Sequence, residues 1–209
     1  MRITRVKMLL WIRLLMMITI SISTLGITGC AGPTNSAYRE FTLRMGSTHF
    51  SFEYPASYQK PHVDWTALPQ LTSVTILHVI GNGGESSIDS HIGIYLMYSK
   101  YYSTDAKALL ESDLAEYENG SYVSDFKLLD RSQISVSGIQ GEQFSYSHTW
   151  YPDALSPKSS GNPYPMLGRI IYFYSDGVIW ELSVDSPLST AEQSKIDFDH
   201  ILQTFKILD

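Results

Sequence analysis

Residues 168–185, GRIIYFYSDGVIWELSVD, set two runs of β-branched and aromatic residues on either side of Asp176-Gly177. Asp-Gly in a two-residue connection supplies the positive φ angles of a turn whose twist matches paired strands, so the stretch reads as an antiparallel hairpin. Upstream, KLLDRSQISVSG and IQGEQFSYSHTWY (127–151) read as two strands around Gly138. TSVTILHVI (72–80) and HIGIYLMYS (91–99) form a further pair across Gly81-Asn82-Gly83-Gly84 and are apolar on both faces, the mark of central strands covered on each side. The first hairpin is EFTLRMGSTHFSFEY (40–54), broken at Gly46-Ser47 and stopped by Pro55. Residues 56–70, with Pro61 and Pro69, read as a loop that packs Tyr58, His62 and Trp65.

Two helices accompany these strands. Between Thr104 and Glu118, Ala106, Leu109, Leu110, Leu114 and Tyr117 keep helical spacing, with Asp105 at the positive end and Asn119-Gly120 as a stop. Asp113, Glu116 and Glu118 fall on its outer face. At the other end of the chain, Ser189 and Glu192 have the spacing of a capping box before Phe198, Ile201, Leu202 and Phe205. Asp197 and Asp199 there read as solvated. Strands joined by tight turns pair antiparallel, so the sum is an α+β domain with helices on the faces of a central sheet.

The chain has 209 residues, 44% hydrophobic and 17% charged, which suits one core and is too apolar for disorder. Its single cysteine excludes a disulfide framework, a four-cysteine zinc site and a redox pair, each of which needs a second thiol. Four of the fifteen basic residues lie before residue 30, where there is no acid; residues 30–209 therefore carry eleven bases against 21 acids, a balance of -10. Such a body repels phosphate backbones, so nucleic acid is not an expected partner.

Arg2, Arg5, Lys7 and Arg13 precede an uncharged, mostly apolar run, LLMMITISISTLGI (14–27), and then Thr28-Gly29-Cys30-Ala31. This is the order of a secretory signal peptide, and the run is shorter than the roughly 20 apolar residues of a membrane span. Ile27-Thr28-Gly29-Cys30 resembles the bacterial lipobox, which implies cleavage before Cys30 and a diacylglycerol and fatty acyl (palmitate-type) modification of its thiol. The alternative is an ordinary cleavage site beside an incidental cysteine. The expected organisation is a lipoprotein signal peptide over 1–29, a short linker over 30–39 and one globular domain over 40–209. Residues 31–38 span at most about 25 Å when extended, which keeps the domain near the bilayer.

Four features occur together: Phe50-Ser51-Phe52-Glu53-Tyr54-Pro55, Ile134 to Gly138 followed by Gly141-Glu142-Gln143-Phe144, the Tyr172 to Trp180 hairpin, and the Phe198 to Phe205 helix with Lys206-Ile207-Leu208. In this set the chain resembles the PsbP-like fold family, and its lipid signal fits the bacterial PsbP-like lipoprotein branch. The resemblance implies a three-layer α/β/α sandwich with a largely antiparallel central sheet. It also implies a binding or accessory role rather than catalysis, and it carries over no catalytic residue.

Sites of chemistry are sparse. No Walker loop, His-Glu-x-x-His helix, EF-hand or nucleophile elbow is present. Six histidines are scattered (His49, His62, His78, His91, His148, His200). If His78 pairs near Gly93, His78 and His91 become diagonal neighbours and weak metal candidates; the bland reading is packing or surface. No cofactor is expected beyond the acyl groups on Cys30. The rival functional reading is a secreted hydrolase or metal-dependent enzyme using His78, His91 or His148. The Pro-rich stretch WYPDALSPKSSGNPYPM (150–166) is the favoured partner-binding segment, through Trp150, Tyr151 and Tyr164, with Trp65 in the earlier loop as a further anchor. The alternative is that these rings fold back onto the sheet edge. The membrane, through the lipid, and an envelope protein are the expected partners, on the extracytoplasmic side of a bacterial membrane.

Overall fold

Ser137-Gly138 (φ 54° and 80°) and Asp176-Gly177 (φ 52° and 81°) both adopt the left-handed pair of angles that a two-residue hairpin turn requires. In this computed structural model they close two long hairpins, β6 (Ser124–Val136) with β7 (Ile139–Trp150) and β8 (Tyr164–Ser175) with β9 (Val178–Pro187). The structure describes residues 37–45, 47–64, 71–78, 90–98, 105–119, 124–150 and 163–208. The expected signal peptide and Cys30 lie outside them.

The remaining elements are β1 (Tyr38–Met45), β2 (Thr48–Pro55), β3 (His62–Asp64), β4 (Leu71–His78), β5 (Ser90–Tyr98), α1 (Ala106–Asn119), α2 (Ala191–Thr204) and β10 (Lys206–Leu208). They build a seven-stranded sheet, β3-β4-β5-β9-β8-β7-β6, and a three-stranded sheet, β1-β2-β10, with every pairing antiparallel. The first hairpin therefore belongs to a sheet of its own, completed by the last strand of the chain. Two three-residue strands were not anticipated: β3, inside the 56–70 loop, and β10. β1 also takes up Tyr38 and Arg39 from the expected linker, and the Ala56 amide donates to the Ala37 carbonyl at 2.8 Å.

Alternation along β8 sorts the layers. Arg169 meets Asp199 of α2, whereas Tyr172 meets Asp113 of α1, so the helices lie on opposite faces of the large sheet. α1 packs on β7 and β8, and α2 packs on β9, β5 and β2. The result is a three-layer α+β sandwich in which the small sheet shares the α2 layer, with a largely antiparallel sheet in the centre.

The core lies between the large sheet and the α2 layer. Phe173 and Trp180 are stacked cross-strand partners, with centroids 6.0 Å apart. Phe50 of β2 meets Trp180 edge-on at 5.1 Å, and Phe205, just past α2, meets Trp180 edge-on at 5.3 Å and Phe173 at 5.9 Å. All four rings are buried, and burying each such side chain is worth about 1.5–3 kcal/mol.

Helix ends differ from one another. Asp105 caps α1, its Oδ1 accepting from the Lys107 and Ala108 amides at 2.9 and 3.2 Å. The expected Ser189 capping box does not form: α2 is preceded by Thr190, which makes no side-chain cap bond and instead donates its hydroxyl to the Pro187 carbonyl at 3.2 Å. The turn after Pro187 takes up that hydroxyl, and the helix opens at Ala191.

Two substitutions test this account of the core. Phe50→Ala is expected to lower stability by about 3–5 kcal/mol in urea unfolding followed by tryptophan fluorescence. Leu129→Ala, at a 57% exposed residue in an irregular stretch of β6, is expected to stay within about 0.5 kcal/mol.

Candidate functional site

Polar side chains with defined partners gather in three places, each fixed by strand register. On the α1 face of the large sheet, Gly168 of β8 stands between Tyr146 of β7 and Asp185 of β9. A Cβ at Gly168 would lie 2.2 Å from Cζ of Tyr146, so only glycine admits this ring. His148, two residues along β7, reaches over the same strand to Asp185, with Nε2 at 3.0 and 3.2 Å from the two carboxylate oxygens. The imidazole is buried, and its Nδ1 has no hydrogen-bond partner among the described residues. Since an ionised carboxylate only accepts, Nε2 carries the proton, and Asp185 fixes the ring orientation. Two residues that sequence reasoning could not bring together thus form an oriented imidazole-carboxylate pair.

Nearby, the Tyr172 hydroxyl lies 2.7 Å from Oδ2 of Asp113 and 3.0 Å from Oε2 of Glu181, a buried carboxylate on β9. Asp113 therefore turns toward the sheet rather than to the outer face expected of it, and it fastens α1 to β8. Further out, Arg131 and Glu111 pair at 2.7 Å, and that hydrogen bond holds the Glu111 carboxyl below its usual range and the Arg131 guanidinium above its own.

The third place is where the chain enters the fold. Asp197 is buried rather than solvated as its helix pattern suggested, because the Tyr58 hydroxyl donates to its Oδ2 and Gln193 donates to its Oδ1 at 3.0 Å. Desolvation first, and then the hydrogen bond to Asp197, push the Tyr58 phenol far above the ordinary tyrosine value. Tyr38 stacks on His200 with centroids 3.6 Å apart, and His200 Nε2 sits 2.9 Å from Glu53. Asp199 is held by Arg169 at 2.6 Å, while Arg169 also donates to Gln143 and lies 5.7 Å from the Phe198 ring centre.

Of the expected anchors, Trp150 and Tyr164 are brought together. They are cross-strand partners at the base of the 151–162 connector, half-buried, with ring centroids 6.4 Å apart. β8 starts at Tyr164, so Tyr164, Pro165 and Met166 are strand residues rather than loop. Tyr151, Trp65 and Cys30 lie outside the described residues. The pairing that motivated a His78–His91 metal site is not formed: His78 is opposite Ser90, His91 is opposite Leu77, and Gly93 is opposite Thr75. That register sets Val74 and Ile76 against Ile94 and Ile92, matching apolar positions across the pair. Among the described residues no three His, Cys, Asp or Glu side chains gather as a metal site. Nor is any described helix long and apolar enough to cross a membrane.

No family model and no curated protein matches the sequence. Solved structures do match in shape. Cyanobacterial PsbP from Synechocystis sp. PCC 6803 superposes with a TM-score of 0.53 at 13% identity, covering 86% of this chain and 98% of its own. LpqN, involved in cell envelope biogenesis of Mycobacterium tuberculosis, superposes with a TM-score of 0.52 at 12% identity, covering 84% of this chain and 94% of its own.

The raised Tyr58 pKa gives a pH signature. The folded state holds the phenolic proton more tightly than the unfolded chain, so this stabilisation is complete below about pH 10 and is lost as pH rises further. Tyr58→Phe is expected to cost about 1.5–3 kcal/mol at neutral pH, by leaving Asp197 one donor short, and to flatten the alkaline decline in Tm. An unchanged alkaline slope contradicts the assignment.

Proposed function

We propose that this chain, which has the PsbP-like fold, is a lipid-anchored binding or accessory protein of the bacterial cell envelope, held on the extracytoplasmic side of a membrane and without enzymatic activity of its own. One observation carries the reading: the sole cysteine of the chain stands at the end of the leader's apolar run, in Ile27-Thr28-Gly29-Cys30. A thioether-linked diacylglycerol with a further acyl chain supplies more than the marginal attachment of a single fatty chain, at about 0.8 kcal/mol per buried methylene. Support also comes from LpqN, a structure of the same fold involved in cell envelope biogenesis. The sequence brings no catalytic motif, and the fold is one that hosts different functions, so the role is argued from the anchor and the surface.

The partner surface in this reading is the Trp150–Tyr164 pair and the connector it closes. Two aromatic rings fixed by a strand pair lose little conformational freedom on binding, which is the property of an anchor residue.

A second reading, a hydrolase or metal-dependent enzyme, draws on the His148–Asp185 pair. A carboxylate behind an imidazole orients it for proton transfer or metal ligation, and β5 sets His91 opposite Asp185 in register. Elemental analysis separates the two readings: a stoichiometric metal that disappears in His148→Ala supports the second.

Two measurements test the first. Cells expressing the wild-type chain are expected to incorporate labelled palmitate into it, and Cys30→Ser to abolish that label; equal labelling contradicts the anchor. A photo-crosslinking residue at Tyr164 in living cells is expected to capture one stoichiometric envelope protein, and Trp150→Ala to weaken that capture with little change in Tm. A large drop in Tm and no captured partner would make the pair a packing element instead.

A further inference from the structure

We propose that β6, an edge strand of the large sheet, pairs antiparallel with β6 of a second copy of this chain, about a two-fold axis between Leu128 and Leu129. The sheet ends at β3 on one side and at β6 on the other. β3 has three residues, whereas β6 has thirteen, about 44 Å of strand. Its inner side pairs with β7, and no described strand pairs with its outer side. A long edge of this kind presents backbone N-H and C=O groups to any strand that fits against it. In its middle, Lys127, Leu128, Leu129 and Asp130 are four consecutive exposed residues, with the two leucines 42% and 57% exposed.

Charge and apolar surface along these four residues are self-complementary. Antiparallel pairing about the stated axis sets Lys127 against Asp130 of the copy and Leu128 against Leu129 of the copy, and symmetry repeats both contacts. Opposite charges directly across a strand pair attract, and the leucines between them leave water together. Lys127 has no ion-pair partner among the described residues. Asp130 accepts from the Ser132 hydroxyl through Oδ2 at 3.2 Å, a bond that a lysine at the other carboxylate oxygen leaves in place. The neighbouring Arg131 is engaged by Glu111 of α1 and does not compete for Asp130 of the copy.

An irregularity in β6 makes this register possible. A two-fold axis perpendicular to a sheet keeps each face on its own side, so residues opposed across the axis must share a face. On a regular strand Lys127 and Asp130, three residues apart, point to opposite faces. Here Lys127 is opposite Ser147 and Asp130 is opposite Ser145, because one extra residue is taken up between Leu128 and Asp130. Ser145 and Ser147 share a face of β7, so Lys127 and Asp130 share a face of β6. The same bulge hinders a regular strand, which offers one residue where β6 has two. A copy of β6 brings the matching extra residue to the same place, which favours a second copy over an extended segment of another protein.

Charge exchange between two tagged forms of the full chain tests the register. The forms are expressed together, extracted in dodecyl maltoside and captured through one tag, and the other tag is then measured. Wild-type copies are expected to capture each other. Lys127→Asp opposes carboxylates at both symmetry-related contacts and Asp130→Lys opposes ammonium groups there, so each variant is expected to capture its own kind about tenfold less. Lys127→Asp in one form with Asp130→Lys in the other restores opposite charges at both contacts, and capture is expected to return. That return also shows that both variants fold. Absence of capture between wild-type copies, undiminished self-capture by either variant, or no return in the crossed pair overturns the interface. Copies held together only by sharing a micelle would be captured alike in every combination, which is one of the overturning results.

Discussion

Four buried rings meeting at one point hold the large sheet of this protein to the layer of α2 and the small sheet. Phe173 and Trp180 come from the hairpin β8–β9, Phe50 from the small sheet and Phe205 from the residue that ends α2, so no single hairpin or helix contains the contact. The four rings arrive from three parts of the chain, and the edge-on and stacked distances leave room for no large substitute. The small sheet could not otherwise find its place: it is joined to the large one by this knot and by the packing of α2 on β2, β9 and β5. Phe205 also turns the chain from helix into β10, which closes the small sheet against β2.

Much of this was legible in the residues. Gly138 and Asp176-Gly177 announced their hairpins because a type of turn with two positive φ angles demands such residues. α1 and α2 showed their apolar spacing, and Asp105 declared its cap. What escaped was non-local. β3 and β10 are three residues long, too short for alternation to register. Asp197 reads as a surface acid on an amphipathic helix until Tyr58, 139 residues away, is placed against it. His148 and Asp185 lie on strands separated by β8, and nothing in either strand's pattern signals that they pair across it beside the Tyr146 ring that Gly168 admits.

The same contrast runs through the functional reading. The proposed anchor is local chemistry, a cation-apolar-small-Cys order that can be read in one pass along residues 1–30. The proposed partner surface is a consequence of register, since Trp150 and Tyr164 become neighbours only when β7 and β8 pair to their far ends. A shape shared with cyanobacterial PsbP and with LpqN at 12–13% identity fixes the architecture and leaves the surface to individual residues.

The intact mass of the mature protein, extracted from membranes and fragmented to locate its first residue, tests the central claim most directly. The account predicts a chain that begins at Cys30 and carries the added mass of a diacylglycerol and an acyl chain on that residue. A membrane-extracted or soluble chain with an unmodified Cys30 thiol and residues 1–29 still attached would contradict it.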